Sequence, residues 1–145
     1  MGRKEDQMTL ANIYGYFSES QKVYFATVLD EQPKLRPMTL FYYKGKFYFT
    51  TFTNDSKVAQ IKSNKLCEVL MSINDEYKND GYIKMTGTAK VCNDLDIKHD
   101  AQYFCYYFDT YYESVDDPDF CLIELSFHTY EYMKPGNDHT ITVKA

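Results

Sequence analysis

Apolar and polar residues alternate along the chain in short blocks, and most of the apolar blocks have the length and composition of β-strands. These blocks are rich in β-branched and aromatic residues and end at turn-forming residues, a combination typical of strands. The link Lys44-Gly45 has the length of a tight hairpin turn. The pattern predicts six strands, over residues 23–29, 34–43, 46–52, 66–73, 82–91 and 120–133.

Three other segments place apolar residues at helical spacing. The middle segment is short and amphipathic, and Thr53 or Asn54 is expected to cap its start. The last segment is aromatic nearly all round, so more than one of its sides is expected to be covered. The predicted helices span residues 5–17, 54–64 and 95–113.

Six strands with few helices and mostly hairpin-length links favour a mainly β architecture. A closed or nearly closed antiparallel barrel with flanking helices at its ends is expected, since closure removes exposed strand edges. The 145 residues contain no apparent repeat or linker, so a single domain over residues 1–145 is predicted. Within it, residues 1–20 carry the N-terminal helix and residues 135–145 form a loosely held tail.

Two residues predict irregularities inside the strands. Pro37 cannot donate a backbone hydrogen bond, so strand pairing is expected to be irregular around Arg36 and Pro37, where the backbone is then free to face a ligand. Gly87 is expected at a bulge or bend of the fifth strand.

Composition and charge narrow the range of partners. The formal net charge of −5 argues against nucleic acid or a membrane surface as partner, because such binding depends on a basic face. No apolar run approaches the roughly 20 residues of a membrane helix, and the charged N-terminus precedes no signal-peptide core. The expected location is therefore the cytoplasm.

The four cysteines are widely spaced and have no partner histidines at zinc spacing. They are expected to be reduced packing residues, and no metal site is predicted. The aromatic content is unusual, with 15 tyrosines and 10 phenylalanines but no tryptophan. A small domain cannot easily bury so many rings within itself, so self-association is a hypothesis from composition alone.

Motifs for common catalytic chemistry are missing from the sequence. There is no G-x-S-x-G, G-x-G-x-x-G or Walker motif, and His128 is more readily interpreted as a structural residue than as a catalytic one. No residue is assigned a catalytic role.

Cations and hydroxyl groups remain as candidates for binding an anion. A Lys44-Gly45 hairpin in regular register would pair residue 36 with about residue 53, which brings Arg36 close to Thr51 and Thr53. The following helix start offers free N–H groups together with Ser56 and Lys57. These residues fit a phosphate site and a capped helix with solvated charges equally well, and both interpretations stay open at this point.

The order of these segments resembles a known family. The stretch "FATVLDEQPKLRPMTLFYYKGKFYFTTFTNDSKVAQIKSN" contains "RPM", then a hairpin, then "FTT", then "SK" at a helix start. This order resembles the FMN-binding split-barrel superfamily of pyridoxamine-phosphate oxidase, most closely its bacterial general-stress group. "YIKMTGTAKV" and the late "DDPDFCLIEL" extend the likeness, which covers residues 23–133.

The resemblance implies a homodimer of six-stranded antiparallel split β-barrels, with FMN in grooves at the subunit interface. Arg36 matches the arginine that holds the FMN phosphate in the family, and Ser56 and Lys57 match phosphate-binding residues at the helix start. The other matching positions are Pro37, Met38 and Thr39 beside the flavin ring, Thr50 and Thr51 at a strand end, and Lys84 on the fifth strand.

Departures from the family pattern limit what the resemblance implies. Tyr82 stands where the oxidase has a flavin-contacting glutamine, and Met133 stands where the stress group often has tryptophan. The sequence also ends before the oxidase's substrate-binding segment, so pyridoxamine-phosphate oxidase activity itself is not expected.

The resemblance therefore implies an FMN-dependent oxidoreductase that exchanges electrons with a small-molecule donor or acceptor. A non-catalytic flavin-binding or stress-response module is the alternative, and the same fold holding haem or a deazaflavin is a third possibility. The sequence does not identify the donor or the substrate.

Overall fold

The computed structural model describes residues 8–74 and 80–145. Seven strands and four helices form in these two ranges. The strands are β1 (Ser20–Leu29), β2 (Gln32–Tyr43), β3 (Lys46–Phe52), β4 (Leu66–Ile73), β5 (Gly81–Val91), β6 (Phe120–Met133) and β7 (Ile141–Lys144). The helices are α1 (Leu10–Tyr14), α2 (Ser56–Ser63), α3 (Leu95–Phe104) and α4 (Phe108–Tyr111).

Six of the strands close into an antiparallel ring. They follow the order β3-β2-β1-β4-β5-β6, and β6 pairs back onto β3 to complete the circuit. Closure depends on the length of β6, since residues 120–125 pair with β3 while residues 123–133 pair with β5. The predicted mainly β fold, a six-stranded antiparallel split barrel with flanking helices, is confirmed.

Every second side chain along a strand points into the barrel. On β1 the buried residues are Val23, Phe25 and Thr27, with more exposed residues between them, as expected for a strand with one covered face. The interior cluster is apolar and continuous, and at full burial each large side chain in it contributes roughly 1.5–3 kcal/mol. Its members include Phe25, Leu40, Phe49, Val69, Ile83, Met85 and Ile123.

A second apolar cluster lies outside the barrel, where α3 and α4 cover part of β2, β3 and β6. Phe41 and Tyr48 are cross-strand partners that turn away from the interior and pack with Phe104, Phe108 and Phe120. The outer face of the barrel is therefore buried here, so the strands carry apolar residues on both faces. The expectation that more than one side of this aromatic segment is covered is wrong for the single chain, because Tyr103, Tyr106 and Tyr111 are 72%, 73% and 55% exposed.

The helical segment predicted over 95–113 is broken, which corrects the sequence interpretation. Cys105 has an extended backbone and separates α3 from α4, and this break redirects the chain. Phe104 and Phe108 both reach the second cluster as a result. Helical periodicity alone could not detect the break, because Phe or Tyr occupies every position from 103 to 108 except Cys105.

Both chain ends also differ from the predictions. In the described residues the N-terminal helix extends over Leu10–Tyr14 rather than 5–17, with Thr9 and Asn12 forming its capping box; positions 5–7 lie outside the described residues. The tail predicted to be loose instead contains β7, which pairs with residues 129–132 of β6. β7 thereby gives backbone hydrogen-bond partners to a part of β6 that lies beyond the end of its pairing with β3.

The predicted hairpin turn and bulge are confirmed. Lys44 and Gly45 both have positive φ angles, 48° and 77°, which suit the tight turn between β2 and β3. The β5–β6 register shifts between Thr86 and Gly87. A Cβ at Gly87 would lie 1.9 Å from the Ser126 carbonyl oxygen, so glycine permits the close approach of β6.

The strands β2 and β3 separate soon after their hairpin. In the described part of the chain their pairing runs from Phe41–Tyr43 to Lys46–Tyr48 and ends there. Arg36 pairs with Phe25 of β1 instead, so the expected pairing of residue 36 with about residue 53 is wrong. Pro37 has no N–H to offer a second neighbour, and β3 pairs with β6 along its other edge, over Phe47–Phe52. The separation leaves a gap in the barrel wall beside Pro37.

Candidate functional site

A groove of about 940 Å³ lies at the gap between β2 and β3. Its volume falls within the ~300–1,000 Å³ of typical small-molecule sites. One wall is formed by β1 and β2, another by the end of β3 and the start of α2, and a third by the segment around α4. Its lining residues include Tyr24, Pro37, Met38, Thr39, Thr50, Thr51, Asp55, Lys57, Tyr106, Tyr107, Tyr111 and Tyr112.

The start of α2 brings a cation and a carboxylate into the groove. Asp55 is the N-cap of this helix, and its Oδ1 accepts the Lys57 backbone N–H at 2.9 Å. The Lys57 Nζ lies 2.8 Å from Asp55 Oδ2 and donates to Thr51 Oγ1 at 3.1 Å. The Lys57 side chain is only 11% exposed, so its charge is held in one place.

The sequence prediction that Thr53 or Asn54 caps α2 is wrong. Thr53 points elsewhere, because its Oγ1 donates to the Pro118 carbonyl oxygen at 2.7 Å. Asp55 is one residue closer to the helix and takes the cap position, where Asp is among the preferred residue types. The cap is therefore a charged group within the groove.

A wall of tyrosines faces the strands across the groove. Tyr107 and Thr50 share a hydroxyl hydrogen bond of 2.9 Å, and Thr50 also lies 3.6 Å from the Cys105 sulfur. Burial raises the pKa of Tyr107, and burial also raises the pKa of Tyr112 to about 12. Both phenols are thus neutral hydrogen-bonding groups at ordinary pH, and they are not bases.

The wall formed by β1 and β2 is also partly exposed. Pro37 is exposed and Tyr24 is 49% exposed, and the two are cross-strand partners on the outer face of β1 and β2. Met38 and Thr39 follow on β2 and also line the groove. The separation from β3 leaves this side of the β2 backbone accessible beside Pro37.

Arg36 lies behind the groove and is not among its lining residues. Its Nη1 donates to Thr27 Oγ1 at 3.0 Å and to the Phe25 carbonyl oxygen at 3.3 Å. Its Nη2 donates to Gln60 Oε1 at 2.8 Å. Burial lowers the pKa of Arg36, and the nearby Asp55 carboxylate opposes that effect. The arginine therefore ties α2 to β1, while its proposed contact with a phosphate stays a prediction.

Two other residues named from the sequence also fall outside the groove. Ser56 is the exposed first residue of α2. Lys84 lies on the outer face of β5, where its Nζ is 3.4 Å from Glu131 Oε2. Among the nine named residues, the structure thus brings together Pro37, Met38, Thr39, Thr50, Thr51 and Lys57 and leaves Arg36, Ser56 and Lys84 apart from them.

Sequence reasoning missed Asp55 and the tyrosines of the α4 segment. The sequence did indicate the tyrosines, because their aromatic surface is too extensive for one helix face. Which of the rings reach the groove depends on the break at Cys105. Asp55 gave no signal of its own, because an acidic residue before a helix is ordinary capping chemistry.

Histidine and cysteine, two residue types common in acid, base or nucleophilic catalysis, do not line the groove in the part of the chain that the structure describes. His128 is exposed, with its Nδ1 2.8 Å from Thr129 Oγ1. All four cysteines are buried and unpaired, and burial raises the pKa of Cys67 to about 12. In residues 8–74 and 80–145, no helix is long and apolar enough to cross a membrane.

The groove's donors suit a planar ligand with an anionic group. Lys57 supplies a fixed positive charge, and Thr51 supplies a hydroxyl beside it. The tyrosines and Pro37 supply flat apolar surfaces, and aromatic rings pack well against planar ligands. The groove therefore combines a charged, hydrogen-bonding end with flat apolar walls.

Comparison with known proteins identifies relatives across most of the chain. The model of the family described as pyridoxamine 5'-phosphate oxidase like matches residues 10–144. The general stress protein 26 of Bacillus subtilis (strain 168) is 24% identical over 119 residues, which cover 82% of this chain and 84% of that protein.

Solved structures share the fold. A Clostridium acetobutylicum protein related to general stress protein 26 has a TM-score of 0.69 and 22% identity, with 92% of this chain and 91% of that chain covered. A haem-binding protein from Mycobacterium smegmatis has a TM-score of 0.68 and 13% identity, with 97% and 57% covered. At these identities the likeness is one of fold.

The Arg36 network gives a stability prediction. Arg36→Ala removes hydrogen bonds to Thr27, Gln60 and the Phe25 carbonyl, so it is expected to lower the free energy of unfolding by about 2 kcal/mol. The exposed Lys34 on the same strand is the matched control, and Lys34→Ala should change stability by less than about 0.5 kcal/mol. Urea unfolding followed by circular dichroism measures both. Equal stability of the two variants would contradict a structural role for Arg36.

Proposed function

This chain belongs to the pyridoxamine 5'-phosphate oxidase like family, and we propose that it is a flavoprotein that binds FMN in the groove between β2 and β3. It acts in this proposal as a small cytoplasmic oxidoreductase of the general-stress type. Its homodimer carries one groove per subunit at the interface. The observation that carries the proposal is that Lys57, Thr51 and the accessible segment Pro37–Thr39 line one groove.

The phosphate of FMN is assigned to the end of the groove at α2. Lys57 is the cation that lines the groove there, and its Nζ already contacts the Thr51 hydroxyl. Charge-assisted hydrogen bonds to phosphate contribute more than neutral ones. Arg36 supports this end indirectly, since it fixes α2 through Gln60.

The flavin ring is assigned to the space between β2 and the tyrosine wall. Pro37 and Thr39 offer backbone and flat surface on one side, and the Thr50–Tyr107 hydroxyl pair offers polar contacts on the other. Bound FMN supplies hydride and electron transfer. The chain's residues hold and orient the ring and limit the access of water, and a small-molecule donor or acceptor completes the redox reaction.

The homodimer is supported by an apolar patch that is continuous with the groove. Leu35 is 70% exposed and pairs with Ala26 on the same outer face as the Tyr24–Pro37 pair. Leu70 of β4 pairs with Tyr24 and extends the patch. Contiguous exposed apolar surface is typical of interfaces, and Tyr24 and Pro37 belong to both patch and groove. A second subunit would therefore cover the groove's open side.

The cytoplasmic assignment is supported by the cysteines. All four are buried and unpaired, which suits a reducing compartment.

FMN binding and turnover are tested by absorbance. The purified protein incubated with FMN should show the two bands of oxidised flavin after gel filtration. Anaerobic NADH, NADPH or a flavin reductase should then bleach them, and an electron acceptor should restore them. A protein that stays colourless contradicts the proposal, and a haem spectrum would favour the haem alternative. Bound flavin that no donor reduces would favour the non-catalytic module.

The phosphate assignment is tested at Lys57. Lys57→Met keeps the aliphatic bulk but removes the charge, so FMN affinity should fall by roughly tenfold or more, the equivalent of 1.5–3 kcal/mol. Riboflavin affinity should change little, because riboflavin has no phosphate. Lys62→Met, in the last turn of the same helix, is the control. Quenching of flavin fluorescence gives the dissociation constants, and equal losses for both flavins would place the phosphate elsewhere.

The dimer is tested at Leu35. Light scattering should give twice the chain mass of 17.1 kDa, and Leu35→Glu should convert the dimer to monomer and weaken FMN binding. Leu95 is similarly exposed, at 74%, but lies on α3 away from the patch, so Leu95→Glu should remain a dimer. A wild-type monomer at micromolar concentration would contradict the interface.

A further inference from the structure

Asp55 already holds the two groups that an anion at the start of α2 would use. Its Oδ2 forms the 2.8 Å ion pair with the Lys57 ammonium, and its Oδ1 accepts the Lys57 backbone N–H at 2.9 Å. The Asp55 side chain lines the groove and is about one-third exposed, at 32%. A negative charge of the protein therefore stands where a ligand's negative charge would be attracted.

Positive charge around Asp55 comes from two elements. Lys57 faces it from α2, and Arg36 acts on it from β2. The hydrogen bonds that Arg36 makes through Nη1 and Nη2 go to Phe25, Thr27 and Gln60, so its guanidinium is directed toward the barrel end. The cation that Asp55 contacts directly is Lys57, and a phosphate would have to compete for it.

The Asp55 carboxyl carries a negative charge at neutral pH, so it competes with a ligand phosphate for Lys57 at that pH. Burial acts to raise the pKa of Asp55, but hydrogen bonds from the Lys57 ammonium and backbone N–H outweigh it, aided by the charges of Lys57 and Arg36. The net effect lowers the pKa below its ordinary value. The carboxylate is therefore ionised at neutral pH, and a phosphate brought to Lys57 meets a like charge.

We propose that Asp55 is an internal competitor for the cofactor phosphate and thereby sets how strongly the groove distinguishes FMN from riboflavin. The inference rests on the proposed FMN site. In the ligand-free groove the Asp55 carboxylate neutralises Lys57. Phosphate binding requires that carboxylate to turn away from Lys57 or to take up a proton. Both routes reduce the affinity for FMN and leave the affinity for riboflavin nearly unchanged.

The test is Asp55→Asn, which removes the charge but keeps a good helix cap, since Asn and Asp are comparable at this position. Its FMN affinity should rise by about tenfold, because a like charge next to the phosphate is removed. Its riboflavin affinity should stay within about twofold of wild type, a change of at most ~0.4 kcal/mol. Asp94→Asn is the matched control, because Asp94 caps α3 by the same type of hydrogen bond and does not line the groove.

The measurement is the dissociation constant of each flavin with wild type, Asp55→Asn and Asp94→Asn. Tighter FMN binding by Asp55→Asn alone, with riboflavin unchanged, supports the competitor. Unchanged or weaker FMN binding by a folded Asp55→Asn variant overturns it while leaving the FMN site intact, and so does an equal gain for both flavins. If wild type and variants bind neither flavin, the proposed function fails and the competitor fails with it.

A second measurement does not depend on a variant. Loss of the Lys57 contact and the approach of a phosphate both raise the pKa of the Asp55 carboxyl. Carbon-detected NMR titration of the side-chain carboxyls should therefore show a higher Asp55 pKa with FMN than without it, and no such change with riboflavin. A pKa that FMN leaves unaltered would overturn the proposal.

Discussion

The separation of β2 from β3 is the constraint on which the candidate site depends. The two strands leave a tight turn paired, but the pairing ends at Phe41 and Tyr48, and β3 continues along β6. Because Pro37 has no N–H, the unpaired part of β2 loses less hydrogen bonding than an ordinary strand would. The barrel thus closes through β6 and keeps an accessible opening in its wall.

Charges behind the opening are arranged in two layers. The inner layer is Arg36, whose contacts with Thr27 and Gln60 join β1, β2 and α2 at the barrel end. The outer layer is the Asp55–Lys57 pair at the start of α2, beside Thr51. A buried cation without partners would be costly, and each layer satisfies that requirement within the chain. An anionic ligand that binds at Lys57 therefore competes with the existing Asp55 contact.

Aromatic residues account for much of both cores, which explains part of the composition. Phe25 and Phe49 pack inside the barrel, with ring centroids 4.7 Å apart, while Phe41 and Tyr48 pack outside it against Phe104 of α3. Several tyrosines still remain exposed, among them Tyr106 and Tyr111 at the groove and Tyr24 beside it. Part of the exposed aromatic surface therefore lies at the groove and the apolar patch, where the proposed cofactor and second subunit would cover it.

The sequence by itself determined the strands of the ring, the Lys44-Gly45 turn, the bulge at Gly87 and the family likeness carried by "RPM", "FTT" and "SK". These features depend on local periodicity, turn chemistry and residue order. The tertiary structure decided that Arg36 faces Gln60 and not Thr51, that Asp55 caps α2 and holds Lys57, and that Ile141–Lys144 pairs with β6. The first and third of these join segments that are not adjacent in the sequence, and the second depends on the residue at which α2 begins. β6 pairs with the end of β3, and that long-range pairing fixes a register that no local pattern along β2 encodes.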